Sequence, residues 1–187
     1  MKKNVNKLIA VMIVLFGMTA CSTNRMSVEA KEKINNQTGF QVENVHVELM
    51  KNPFFSEDEK HALYMNTTEL AKLLKSSLKT ELRSGALDCK AKKRCLHVDV
   101  NVDYMRTFVL GSNTLDTPRI GFEIDIKDQN KVIHTEKASE LILSRGTLNN
   151  ILTQTNIGSD KVDREREILD FRGIAKEIVK RISDLAH

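Results

Sequence analysis

Acidic side chains and one histidine recur at alternate positions along two segments of the sequence. His97, Asp99 and Asp103 are spaced to share one face of a β-strand, and Glu123 and Asp125 share a face in a second such segment. Paired carboxylates can act as a general acid and base or bind Ca²⁺. An antiparallel sheet that is covered on one side also presents polar residues on its other side. We therefore expect a solvated sheet face here and keep a carboxylate site as the alternative.

The motifs that would support a catalytic site are missing from the sequence. It contains no Gly-x-Ser-x-Gly, no His-Glu-x-x-His, no phosphate-binding glycine loop and no dinucleotide-binding fingerprint. The five histidines are dispersed along the chain. We therefore predict that the protein is not an enzyme, has no catalytic residue, and requires neither a cofactor nor a metal ion.

The start of the chain has the layout of an export signal. A basic stretch over residues 1–7 precedes nine apolar residues, 8–16, and residues 17–20 lead up to a cysteine. Nine apolar residues are too few to cross a bilayer, which takes about 20. A basic start, a short apolar run and small residues before the cut are typical of a signal peptide that is removed. We therefore assign residues 1–20 to a signal peptide.

The sequence Met18-Thr19-Ala20-Cys21 resembles the lipobox of bacterial lipoproteins. The resemblance implies that the Cys21 thiol receives a diacylglycerol, that the signal is cleaved and that the new amine is acylated. Two or three acyl chains anchor a protein essentially permanently, because each buried methylene contributes about 0.8 kcal/mol. In this family an Asp directly after the cysteine would prevent sorting to the outer membrane. This sequence has Ser22 at that position, so the resemblance implies that the protein is sorted to the outer membrane. The folded part would then face the periplasm.

The positive charge of the whole chain lies largely in the signal peptide. The formal net charge is +4, and Lys2, Lys3 and Lys7 precede the first acidic residue. Without these three lysines, 26 basic residues remain against 25 acidic ones, which leaves a charge of +1. Such a charge gives no reason to expect a nucleic-acid partner.

Cys89 and Cys95 remain as an even pair in an exported, oxidising compartment, which favours a disulfide. They lie between a short apolar segment and an alternating one, an arrangement that predicts a hairpin with its ends within disulfide reach. Two alternatives stay open. Zinc bound by both cysteines and His97 would lack a fourth ligand. A redox pair typically has closer Cys-x-x-Cys spacing.

Four basic side chains lie between or beside these cysteines: Lys90, Lys92, Lys93 and Arg94. They could contact the phosphates of a lipid or a glycan. A solvated turn is the simpler interpretation.

Hydrophobic periodicity predicts one two-layer α+β domain over residues 40–187, in the order β-α-β-β-β-α. The sheet is expected to be mostly antiparallel, with two amphipathic helices on one face. Residues 21–39 are polar and are predicted to be the lipidated cysteine and a flexible tether, which could span about 60 Å when extended. The predicted strands cover residues 40–50, 96–110, 120–127 and 132–144, and the predicted helices run from Asn66 to Gly85 and from about Asp160.

The second predicted strand is longer than the domain that should contain it. Residues 96–110 would extend about 50 Å, whereas a domain of this size has a diameter of roughly 37 Å. Either the strand bends over the core, or its end projects as an arm that could bind a partner through exposed apolar side chains. The candidate partner-binding residues are Phe108, Val109, Leu110 and Leu115.

The chain resembles a group of small periplasm-facing lipoproteins in the order of its elements. The elements that carry the resemblance are the leucine-rich helix that ends at Gly85, the strand over residues 96–104 and the terminal helix. The group includes the YajG type, the auxiliary lipoproteins of ABC transporters and the lipopolysaccharide-assembly lipoprotein of the outer-membrane translocon. The resemblance implies an accessory or adaptor role in an envelope assembly or transport complex, with another envelope protein or a homo-oligomer as partner. The alternatives are a module that binds lipid, lipopolysaccharide or glycan, and a hydrolase that uses the acidic strand face.

Overall fold

The computed structural model describes residues 26–52, 64–109, 115–141 and 160–186. Within these ranges no helix is both long and apolar enough to cross a membrane. The predicted order of strands and helices is confirmed, with a short helix added before it. The elements are α1 (Val28–Lys33), β1 (Thr38–Leu49), α2 (Thr67–Ser84), a 3₁₀ turn (Cys89–Ala91), β2 (Arg94–Met105), β3 (Arg119–Asp128), β4 (Lys131–Leu141) and α3 (Asp160–Leu185).

The four strands form one sheet in the order β1-β2-β3-β4. β1 lies parallel to β2, because α2 crosses over between them, and the other two pairings are antiparallel. The fold is therefore α+β with a mostly antiparallel sheet, as the hydrophobic pattern predicts.

The core lies between the sheet and the two long helices. Every second residue of β2 and β3 points into it, and these side chains are at most 4% exposed. α2 begins with a capping box formed by Asn66 and Glu69 and ends at Gly85, as predicted. The buried apolar residues of these helices are Leu70, Leu74, Leu78 and Leu82 of α2 and Phe171, Ile174, Ala175, Ile178, Val179 and Ile182 of α3.

A β-bulge at Glu43 shifts the alternation of β1 by one residue. Val42 pairs with Val98, and Asn44 pairs with Asp99, so that Glu43 has no counterpart in β2. The carbonyl of Glu43 accepts a hydrogen bond from Lys75 Nζ at 2.6 Å. The bulge keeps the apolar residues on both sides of it directed toward the same core.

Residues 28–34 differ from the flexible tether predicted for residues 21–39. Ser27 caps α1 by accepting a hydrogen bond from Ala30 N at 3.1 Å. Ala30 and Ile34, one helical turn apart, are 0% and 3% exposed and belong to the core. Two ion pairs, Lys33–Asp128 and Glu29–Lys131, attach α1 to the β3–β4 turn. The folded domain therefore begins before residue 40.

The hairpin predicted around the cysteines is wrong in its pairing. Phe40 N donates to Leu87 O at 2.8 Å, and Phe40 and Asp88 form a parallel bridge, so that the segment before the turn lies on β1. Gly39 permits this close approach, because a Cβ there would lie 2.7 Å from Asp88 O.

β2 ends at Met105, earlier than the predicted end at Leu110. Arg106 is buried, and an antiparallel bridge between Phe108 and Leu115 draws the chain back toward the domain. Leu115 is 2% exposed and Val109 is 45% exposed. Leu115 is therefore part of the folded body and not of an exposed arm.

Candidate functional site

Three carboxylates of the sheet face turned away from α2 and α3, those of Asp99, Glu123 and Asp125, are engaged with neighbouring side chains. Asp99 forms an ion pair with Lys127 and accepts hydrogen bonds from Asn44 N and Nδ2 at 3.1 and 3.0 Å. Glu123 forms an ion pair with Lys137. Partial burial acts to raise the pKa of Asp99, but the hydrogen bonds from Lys127 and Asn44 outweigh it and leave this pKa below its ordinary value.

Asp125 is likewise engaged, since Thr135 Oγ1 donates to Asp125 Oδ1 at 2.6 Å. Among the described residues, no group of three or more His, Cys, Asp or Glu side chains could hold a metal ion. Asp99, Glu123 and Asp125 are therefore held by lysine, asparagine and threonine side chains of the same sheet.

The Cys89–Cys95 disulfide is present, with a Cα–Cα distance of 5.0 Å. The zinc alternative is therefore wrong for this state, because neither sulfur is available as a thiolate. Beside the bridge, the backbone N–H groups of Lys93 and Arg94 donate to Gln37 O at 3.1 and 3.2 Å. These bonds fix the disulfide turn against the start of β1.

The four basic residues of the turn are directed to different places. Lys92 Nζ donates to Asn36 O at 2.7 Å, and Arg94 forms an ion pair with Asp128 at 2.9 Å. Lys93 is exposed. Lys90 is also exposed and lines a surface groove. The structure therefore does not gather the four cations predicted to contact an anionic ligand into one cluster.

The groove beside Lys90 has a volume of about 260 Å³ and lies between the second half of α2, the start of β1 and the disulfide turn. Three cations and three buried apolar side chains line it. We call it the basic groove, and its lining residues are Phe40, Gln41, Val42, Lys79, Leu82, Arg83, Asp88, Cys89 and Lys90.

Two of these cations come from α2 and were not predicted from the sequence. Lys79 and Arg83 are one helical turn apart and flank the leucine row that packs on the core. Arg83 Nε lies 3.9 Å from Asp88 Oδ2, with 68% of the Arg83 side chain exposed, so this ion pair contributes little. The sequence does contain a signal for these two cations, because Lys79 and Arg83 are four residues apart beside the leucine row.

A second group of charged residues lies buried where the end of β2 meets the first half of α3. Arg106 and Glu167 form an ion pair, and Arg166 Nη1 donates to Leu115 O at 2.8 Å. Burial raises the pKa of Glu167, although the Arg106 guanidinium opposes this shift. Because Arg106 and Glu167 are at most 2% exposed, a ligand in solvent cannot reach them, and we interpret the group as structural.

The remaining candidate residues are distributed as follows. The ring of Phe108 is half-buried and packs against Tyr64, with 5.8 Å between ring centroids. Val109 is exposed. Cys21 and Leu110 lie outside the described residues.

No protein-family model matches this chain, and no curated protein sequence matches it. One solved structure, described as a neuraminyllactose-binding hemagglutinin homolog from Helicobacter pylori, is 15% identical over 83% of this chain and 86% of its own, with a TM-score of 0.33. A likeness of this degree supports no conclusion about fold or activity.

Proposed function

We propose that this protein is a lipid-anchored, non-catalytic accessory protein of the bacterial cell envelope. Acyl chains on Cys21 hold it at the outer membrane, and its domain faces the periplasm. The domain binds an anionic component of the envelope through the basic groove. The partner is an envelope protein or a ligand such as a lipid, lipopolysaccharide or glycan, and the tests below separate these cases.

The basic groove is the observation that carries this proposal. On the sheet face, Asp99 and Glu123 are paired with lysines of the same sheet. In the groove, Lys79, Arg83 and Lys90 face solvent around a concave surface. Exposed cations that converge on a cavity attract anions more strongly than isolated surface charges do.

Anchoring is tested by replacing Cys21 with Ala and separating soluble from membrane fractions. We expect the wild-type protein to incorporate a lipid label and to sediment with the outer membrane. The Cys21→Ala variant should lose the label and leave that fraction. A variant that keeps both its label and its location would remove the anchoring part of the proposal.

Binding through the groove is tested by co-purification from a detergent extract of the envelope. The double variant Lys79→Glu/Lys90→Glu should lose an envelope component that the wild-type protein retains. The matched control is Lys72→Glu/Lys93→Glu, which reverses two exposed lysines of α2 and the same turn outside the groove. Equal recovery from both double variants would contradict the proposal.

A further inference from the structure

We infer that the basic groove is a site for a phosphomonoester group carried by an envelope molecule. This inference rests on the proposed function and specifies its ligand. The groove brings together two cations of α2 and one of the disulfide turn at a single concave surface. An anionic group placed between them would contact both α2 and the disulfide turn that follows it in the chain.

The charge of the groove matches a dianion. Among its lining residues, Lys79, Arg83 and Lys90 are opposed by Asp88 alone, which leaves two positive charges unbalanced. A phosphomonoester carries about −1.5 to −2 charges at neutral pH. It also offers three acceptor oxygens, enough to receive a hydrogen bond from each cation.

Three apolar side chains that line the groove are themselves almost fully buried. Phe40, Val42 and Leu82 are 1%, 3% and 2% exposed. Their burial keeps water away from one side of the site, and an ionic hydrogen bond is stronger where the local dielectric constant is low.

The size and the rigidity of the groove suit a small anionic group. A volume of about 260 Å³ accommodates a phosphate group and the few atoms next to it. In addition, the Cys89–Cys95 disulfide and the bonds of the turn to Gln37 O hold the backbone of Lys90 in place. Such preorganisation lowers the entropic cost of binding.

The test is calorimetric titration of the full-length protein in an uncharged detergent. The probes are inorganic phosphate, glycerol 3-phosphate, and short-chain phosphatidic acid in mixed micelles, with short-chain phosphatidylcholine as the neutral comparison. We expect binding to glycerol 3-phosphate and phosphatidic acid and none to phosphatidylcholine. Equal affinity for the free and micellar phosphates supports recognition of the phosphate group alone, and preference for phosphatidic acid supports a lipid source.

Matched single variants identify the site. Lys79→Ala and Lys90→Ala should each weaken phosphate binding about tenfold, the effect of losing one charge-assisted hydrogen bond. Lys72→Ala and Lys93→Ala should change it less than about twofold, because these side chains do not line the groove. All four lysines are partly or fully exposed, so thermal unfolding should be unchanged and a loss of binding cannot be assigned to misfolding.

The inference is overturned if no phosphomonoester binds, or if the groove variants and the control variants bind equally. An acidic protein that the wild type retains and the groove variants lose, without any phosphate binding, would overturn this inference and leave the proposed function intact. Phosphate binding by a protein that proves to be unlipidated would support this inference and overturn the lipid anchoring in the proposed function.

Discussion

Arg106 and Glu167 form an ion pair inside the domain, with 2.7 Å between Arg106 Nη2 and Glu167 Oε1 and exposed side-chain fractions of 2% and 0%. Both side chains also hold the backbone of Met65. Arg106 Nη2 donates to Met65 O, and Met65 N donates to Glu167 Oε2 at 2.7 Å. The pair thus joins the end of β2, the entrance of α2 and the first half of α3.

Removal of one partner of this ion pair should be strongly destabilising. Arg106→Met would leave the carboxylate of Glu167 buried without its cation, and we expect the free energy of unfolding to fall by about 3–5 kcal/mol. The double variant Arg106→Met/Glu167→Leu should recover part of the loss, because it buries no charge. Urea denaturation measures both values. A single variant within about 1 kcal/mol of the wild type would contradict this account.

The attachment of α1 should depend on pH through Asp128. Hydrogen bonding from Lys33, and the nearby charge of Arg94, hold the pKa of Asp128 below its ordinary value of 3.8. Because this pKa is lowered in the folded state, the stabilisation is present above pH 3.8 and is lost as the pH falls through the lower, folded value. Asp128→Asn should therefore melt at a lower temperature than the wild type at neutral pH, with the difference shrinking in acid. A difference that is independent of pH would count against the ion pairs.

The disulfide should stabilise the domain and position Lys90. The entropy of closing so short a loop predicts that Cys89→Ser/Cys95→Ser lowers the free energy of unfolding by about 2 kcal/mol. The same variant should bind phosphate more weakly, because the turn that carries Lys90 is less constrained. Urea denaturation and the phosphate titration check these effects, and added reductant should affect the wild type only. Unchanged stability would show that the bonds to Gln37 alone suffice.

Gly39 should not tolerate a side chain. A Cβ at this position would lie 2.7 Å from both Asp88 O and Cys89 Cα, and backbone atoms cannot rotate away as a side chain can. Gly39→Ala should therefore destabilise the domain by about 1–3 kcal/mol. Gly85→Ala is the control, since its nearest contact is at 3.4 Å. Similar melting temperatures for the two variants would contradict this prediction.

The long elements could be predicted from the sequence because each is set by its own periodicity. The alternation of apolar residues in β2 and β3 indicates which face of each strand is buried in the core. The leucine row does the same for α2. α1 could not be predicted in this way, since it has six residues and buries only Ala30 within its bounds. The bulge at Glu43 left a signal that is readable in retrospect, because the apolar positions of β1 change phase there.

The candidate site was only partly predictable for a related reason. Lys90 stands out as part of a basic turn, whereas Lys79 and Arg83 look like an ordinary solvated helix side. Lys79 and Arg83 line the same groove as Lys90 because α2 packs beside β1 and the disulfide turn lies against Gly39. Arg106 was missed because a buried cation becomes recognisable only when Glu167, 61 residues away, is placed beside it.

If Cys21 carries the lipid proposed above, the capped start of α1 limits how far the folded domain can lie from the membrane. Five residues lie between Cys21 and Ser27, and this segment spans no more than about 20 Å when fully extended. A flexible tether of three times that length would allow the domain to reach much further from the membrane. On the proposed lipid anchor, the short segment would keep the domain within reach of targets next to the bilayer surface, such as headgroups and the periplasmic mouths of membrane proteins.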